Sequence, residues 1–168
     1  MSKEVHMSKI LTLNKEARYN FKTTGRVVYD PPRPGMKRRT DWWAIVSVDR
    51  DITAYYRWWV KKRYFIDLCE PSWNAHVSVV RGERIDPKYH DLWKRLHGQT
   101  IEIEYGHTVK QVESKPHFWY VSAHAPEIDE IRGELGLRTN FAYHLTIGRT
   151  YNDNEYIRPD QINYRMTS

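Results

Sequence analysis

His76-Val77-Ser78-Val79-Val80-Arg81 and His144-Leu145-Thr146-Ile147-Gly148-Arg149 are two copies of one pattern, 68 residues apart: histidine, apolar residue, hydroxyl residue, apolar residue, any residue, arginine. Each copy is apolar and largely β-branched, which predicts a strand. Strand side chains alternate between faces, so His76 and Ser78 share one face, about 6–7 Å apart along the strand, with Val77 and Val79 on the other. His144 and Thr146 stand in the same relation to Leu145 and Ile147. Each copy therefore offers one imidazole and one hydroxyl on a strand whose back is anchored in a core. His6-Met7-Ser8 satisfies only the bare tripeptide, in a polar segment, and is set aside. By the same parity Arg81 and Arg149 fall on the face away from the histidines. There, pairing with carboxylates of the tail is favoured over a turn toward a phosphate.

The segments around the two copies extend the pattern. Gly25–Tyr29 and Trp42–Val48 read as strands. Between them Asp30-Pro31-Pro32-Arg33-Pro34-Gly35 interrupts regular structure, because proline fixes φ and donates no hydrogen bond. Residues 30–41 thus form a basic, proline-stiffened loop. A helix follows, capped by Asp49 or Asp51 and running to about Phe65, with Ile52, Tyr55, Tyr56, Trp59 and Arg63 at helical spacing. Pro87–Leu96 reads as a short helix behind an Asp86 cap, and Thr100–Tyr105 as a strand with one buried face. Val109–Val112 and Phe118–Ser122 form a hairpin around residues 113–116. Pro126–Leu135 is a helix stopped by Gly136. This order predicts an α+β fold with largely antiparallel sheets. Residues 1–24 are expected to be an N-terminal arm, and 25–168 a single domain.

The chain has 168 residues, a formal net charge of +6 and a sequence pI of about 9.4, so an anionic partner is expected. The charge is uneven: residues 1–65 carry 15 Lys/Arg against 6 Asp/Glu, and the remainder 12 against 15. The basic excess reads as a wall or lid beside a small anion rather than a long nucleic-acid track. Its main clusters are Lys37-Arg38-Arg39 and Lys61-Lys62-Arg63. A single cysteine, Cys69, excludes an internal disulfide framework and is expected to be buried. No apolar run reaches the roughly 20 residues of a membrane span, and no secretory signal is expected. A cytoplasmic location follows from these readings.

Two such strands brought together make a four-point site. The Ser78 and Thr146 hydroxyls can donate to phosphate oxygens, and the His76 and His144 imidazoles can act as general base and general acid near neutral pH. That set suits in-line cleavage of a phosphodiester and needs no metal or other cofactor. Trp119 is a candidate for stacking on a base, whereas Trp42-Trp43 and Trp58-Trp59 read as packing residues. His107, His117 and His124 lack metal-ligand spacing.

At these residues the chain resembles the 2H phosphoesterase superfamily, whose signature is two such H-x-[ST]-x motifs carried on strands in two halves of one chain. The likeness covers roughly residues 42–149 and implies two pseudo-symmetric lobes with helices outside and a central groove. It also implies that His76 and His144 are the acid–base pair and that Ser78 and Thr146 orient the phosphate. Within that superfamily the spacing and size look most like the anti-CBASS phosphodiesterases of phages. That likeness implies hydrolysis of 3′–5′ linkages in cyclic di- or trinucleotide immune signals, in the cytoplasm of an infected bacterium. Aromatic residues hold the bases in that group, which makes Tyr29 and Tyr105 further candidates for substrate binding. Two other readings compete. One is a 2H enzyme acting on RNA 2′,3′-cyclic phosphate ends or 2′–5′ oligoadenylate. The other is a non-catalytic module that binds RNA or nucleotides.

Overall fold

The computed structural model describes residues 21–34, 37, 40–112 and 115–151. Most of the expected arm, Arg38 and Arg39 of the basic loop, residues 113–114 of the hairpin and the tail from residue 152 lie outside the described residues. Seven strands form one sheet: β1 (Phe21–Tyr29), β2 (Trp43–Ser47), β3 (His76–Arg81), β4 (Thr100–Tyr105), β5 (Lys110–Gln111), β6 (His117–His124) and β7 (His144–Thr150). Their order is β4-β1-β2-β3-β7-β6-β5, with every pairing antiparallel. A short ladder, Glu104 with His124 and Tyr105 with Ala123, also joins β4 to β6, so the sheet closes on itself. The α+β class and antiparallel character agree with the sequence reading. The halves predicted by the repeat share one continuous sheet, joined where β3 meets β7. β1 begins at Phe21, so residues 21–24 of the expected arm belong to the sheet.

The helices follow from local chemistry. Helix α1 (Arg50–Tyr64) starts at Asp49, whose carboxylate accepts from the Asp51 N–H at 2.9 Å, and ends at Phe65 in the left-handed region with φ 59°. It buries Thr53, Tyr56 and Val60, whereas Tyr55 stands in solvent, so the buried stripe is rotated from the one expected. Pro87–Leu92 is a 3₁₀ turn capped by Asp86. Helix α2 (Pro126–Glu134) ends before Gly136, whose φ of +70° suits a residue without a Cβ. Cys69 is exposed rather than buried, because its segment runs over the outside of β7 and pairs with Arg149.

The sequence repeat is matched by a structural one that extends beyond the motif strands. β2 pairs with β3 as β6 pairs with β7: Ser47 faces His76 as Ser122 faces His144, and Ile45 faces Ser78 as Tyr120 faces Thr146. In both ladders the register then slips by one residue, leaving Val79 and Ile147 as extra, bulged residues. A bulge leaves backbone groups without a ladder partner, and here a helix of the opposite half supplies one. Arg57 of α1 donates to the Ile147 carbonyl at 2.9 Å, and Arg132 of α2 donates to the Val79 carbonyl at 2.8 Å. The halves are thus strapped together crosswise, α1 onto β7 and α2 onto β3.

Arg132 is 1% exposed, and its guanidinium forks onto Glu83 at 2.5 and 2.7 Å. Those hydrogen bonds hold the Glu83 carboxyl below the usual carboxylate range. Past the second bulge, β7 carries Gly148, where an added Cβ would lie 2.8 Å from Leu68 Cβ and 2.9 Å from the Cys69 carbonyl oxygen. Only glycine lets the 68–70 segment cross β7 so closely.

Removing the carboxylate in Glu83→Ala strands a buried guanidinium and is expected to cost about 3–5 kcal/mol in denaturant unfolding. A loss under 1 kcal/mol would show that Arg132 is satisfied without Glu83.

Candidate active site

β3 and β7 meet at Val77 and Leu145, the middle residues of the two motifs. Antiparallel pairing about that point sets His76 opposite Thr146 and Ser78 opposite His144. Val77 and Leu145 are fully buried, so all four polar side chains lie on the other face. Cross-strand neighbours have Cβ atoms about 4.5–5.5 Å apart, and diagonal ones about 7–8 Å. The two imidazoles occupy one diagonal of the square and the two hydroxyls the other. His76, Ser78, His144 and Thr146 all line one cavity of about 130 Å³, together with Trp43, Pro71, Ser72, Trp73, Arg81 and Phe118.

The bulges decide which other residues reach this face. β2 runs without a bulge, so Ser47, Ile45 and Trp43 share one side; through the ladder they face His76, Ser78 and Arg81. The extra residue Val79 reverses the parity of β3 and brings Arg81 round to the histidine side. On β7 the bulged Ile147 does the same for Arg149, which faces Phe118. The expectation that both arginines point away from the histidines is therefore corrected. Counting by twos from His76 takes no account of the bulge.

The three aromatic candidates for substrate binding lie on the opposite, apolar face. Tyr29 faces Ala44, Trp119 faces Gly148 and Tyr105 faces Ala123. Tyr29 is 2% exposed and packs edge-on against Trp93, Trp119 is 0% exposed, and Tyr105 packs against Tyr56. None of the three lines the cavity. The aromatic walls are Trp43 and Trp73 on one side and Phe118 on the other; Trp43 reads from the sequence as a packing residue, and Trp73 and Phe118 are not among the candidates. A signal for two of them was present: Trp43-Ala44-Ile45-Val46-Ser47 and Phe118-Trp119-Tyr120-Val121-Ser122 share an aromatic residue followed at the same spacing by Val-Ser.

The basic loop borders this site. The Trp73 indole donates to the Pro32 carbonyl at 2.7 Å, and the Arg33 guanidinium lies over Trp43, 5.6 Å from the ring centre. The charge cluster on α1 is elsewhere: Lys61, Lys62 and Arg63 are exposed on the helix, and Lys61 pairs with Asp67 at 2.8 Å.

The two histidines share an anchor but differ in surroundings. His76 Nδ1 donates to the Asn74 carbonyl at 2.6 Å, so the neutral ring carries its lone pair on Nε2. His144 is hydrogen-bonded to the backbone of Ala142, again two residues upstream. His76 is packed edge-to-face by Trp43 and Trp73, at 5.8 and 5.4 Å, and is half-buried. His144 rests on Tyr120 at 5.2 Å and remains exposed at its surface. Desolvation holds both imidazoles below the ordinary histidine value, and the nearby positive charge of Arg81 lowers both further. The charge of His144 adds to the lowering at His76. Of the two rings, His76 is the more enclosed and has the additional repulsion from its neighbour.

Compared with protein-family models, with curated proteins and with solved structures, the chain has no match.

Titration of the ring protons by NMR is expected to place both histidines below 6.5, with His76 the lower. Trp43→Ala should raise His76 toward the ordinary value and leave His144 nearly unmoved. Between the folded and unfolded values the unfolded chain binds more protons, so stability should fall as pH drops through 6.5 and level off below the folded values. His76→Gln should flatten that slope; an unchanged slope would mean that other groups produce it.

Proposed function

We propose that the chain is a phosphodiesterase of the 2H type, in which the two imidazoles act as general base and general acid on a phosphodiester held between β3 and β7. The observation that carries this reading is the convergence of His76, Ser78, His144 and Thr146 on one cavity, about a single antiparallel contact. Diagonal imidazoles leave room for a phosphate between them, with one nitrogen on the side of the attacking oxygen and the other beside the leaving oxygen. The hydroxyls on the other diagonal donate to the non-bridging oxygens.

The surroundings support one division of the parts. His76, walled by indoles and anchored through Nδ1, keeps a neutral Nε2 and removes the proton from the attacking hydroxyl. The oxygen attacks phosphorus, and the bond from phosphorus to the leaving oxygen breaks. His144, the more exposed of the two rings, gives its proton to that oxygen. A ribose 2′-hydroxyl as nucleophile leaves a 2′,3′-cyclic phosphate on one end and a free 5′-hydroxyl on the other. The step balances in protons, His76 gaining one as His144 gives one up, and exchange with water returns both rings to their starting states.

The substrate class that fits is a cyclic di- or trinucleotide. The cavity is small, and aromatic side chains stand on both sides of the phosphate position, where the two flanking bases can stack. Such a compact ligand matches the positive charge that Arg81 brings to the cavity and Arg33 to its border. As a carrier of immune signalling, this class of ligand would make the chain an evasion factor of the anti-CBASS kind.

Incubation with a panel of cyclic dinucleotides, cyclic trinucleotides, 2′–5′ oligoadenylate and RNA bearing 2′,3′-cyclic ends, with a chelator present, tests the reading by product analysis. Cleavage of cyclic oligonucleotides is expected, and its loss by about 10²–10⁴-fold in His76→Ala and in His144→Ala. Cleavage of the RNA ends alone would move the substrate class. A wild-type chain that leaves the whole panel intact would falsify the enzyme reading, and salt-dependent retention of long RNA would then favour a binding module. The pH profile of kcat/KM should be a bell centred below 6.5, because it reports two lowered histidines in the free protein.

A further inference from the structure

Among the described residues lining the cavity, Arg81 carries the one fixed positive charge. Three arginines elsewhere in the fold are committed to carboxylates: Arg132 to Glu83, Arg95 to Glu130 and Glu134, and Arg57 to Glu70. No described carboxylate pairs with the Arg81 guanidinium. It stands exposed at the end of β3, turned to the histidine face by the Val79 bulge, and its charge reaches both imidazoles. Its partner in the repeat is employed differently. Arg149 donates through Nη1 to the Ser72 hydroxyl, and its guanidinium lies 5.5 Å from the Tyr151 ring centre. It therefore braces the 71–73 segment that carries Trp73.

We propose that Arg81 alone of the repeated pair binds the substrate phosphate, its guanidinium forking onto the two non-bridging oxygens, while Arg149 holds the aromatic wall. The inference rests on the phosphodiester reading of the cavity and deepens it. A guanidinium matches two phosphate oxygens with two parallel N–H donors, which neither hydroxyl nor imidazole does. The charges also match. A diester is a monoanion, and the five-coordinate species formed by attack carries a second negative charge. Arg81 and protonated His144 supply two positive charges. Terminal phosphomonoesters, already dianions before any attack, are a poorer fit, so the class recognised is an internal diester.

Inorganic phosphate is the probe, titrated into the full chain on the acid side of neutrality, where it is a monoanion like a diester, while the His76 and His144 ring resonances are followed. Wild type is expected to show a saturable shift. Arg81→Gln should weaken phosphate at least tenfold, Arg81→Lys about threefold or more because the fork is lost, and Arg149→Gln less than twofold. Unchanged backbone amide resonances away from the cavity, in the absence of phosphate, check that each variant is folded. The proposal is overturned if wild type shows no saturable shift, if Arg81→Gln binds within twofold of wild type, or if Arg149→Gln loses as much as Arg81→Gln. Should Arg81→Gln fail to fold, Arg81→Lys decides, and wild-type affinity in that variant overturns the fork. Binding and turnover separate the two readings. Phosphate held through Arg81 by a chain that cleaves no diester leaves this inference standing and removes the catalytic one. Diester cleavage undiminished in Arg81→Gln does the reverse.

Discussion

The pairing of Val77 with Leu145 is the contact on which the rest of the molecule turns. It places the central residues of the two motifs across from each other, so the point between them acts as a pseudo-twofold axis. Both side chains are removed from water, and burial of residues of this size is worth about 1.5–3 kcal/mol each. That burial also fixes the register. A slip of one residue would turn one strand over, driving its histidine and hydroxyl into the core and its apolar side chains into the cavity, so the alternative register is strongly disfavoured. The chemistry of the site and the stability of the sheet are thus set by the same pair of residues.

The bulges beside that axis show how a strand can present three polar side chains within six residues and still keep its core. His76, Ser78 and Arg81 share a face only because Val79 is inserted between them. The orphaned carbonyl created by the insertion is met by an arginine from the far helix, on both sides of the axis. A buried guanidinium needs a carboxylate as well, and Arg132 has Glu83. The same groups therefore satisfy the bulge, lock the two halves together and fix the direction of the strand end.

The elements and the motif pair were legible in the sequence for physical reasons. Thr100–Tyr105 alternates cleanly because one face of β4 is solvated and Glu102 and Glu104 sit beside Lys22. The α1 cap and the stop at Gly136 are read from short-range hydrogen bonding and φ preference, which the chain declares locally. The four polar residues of the motifs were legible because burial of Val77 and Leu145 requires their alternation. What escaped depends on registers between distant strands. Nothing local to Val79 announces a bulge, so Arg81 was assigned to the wrong face. Tyr29, Tyr105 and Trp119 are plausible as ring types, but the side of the sheet they occupy is set by ladders to β2, β6 and β7. Trp43 was read as packing, and it does pack; its ring closes the cavity while being 2% exposed.

Symmetry in the backbone combined with asymmetry in the side chains gives the site its direction. A perfect twofold would surround both histidines alike and leave them indistinguishable. Here one ring lies against two indoles and the other against a single phenol with an open side. One arginine of the repeated pair faces the cavity, and the other is tied to Ser72. These differences come from the connections rather than from the motifs. The segment between α1 and β3 contributes Pro71, Ser72 and Trp73 to the cavity, and the equivalent stretch between α2 and β7 contributes no lining residue among those described. The crossing over Gly148 brings that longer segment to the site. A duplicated scaffold thus gives its two histidines unlike surroundings by lengthening one of its two helix-to-strand connections.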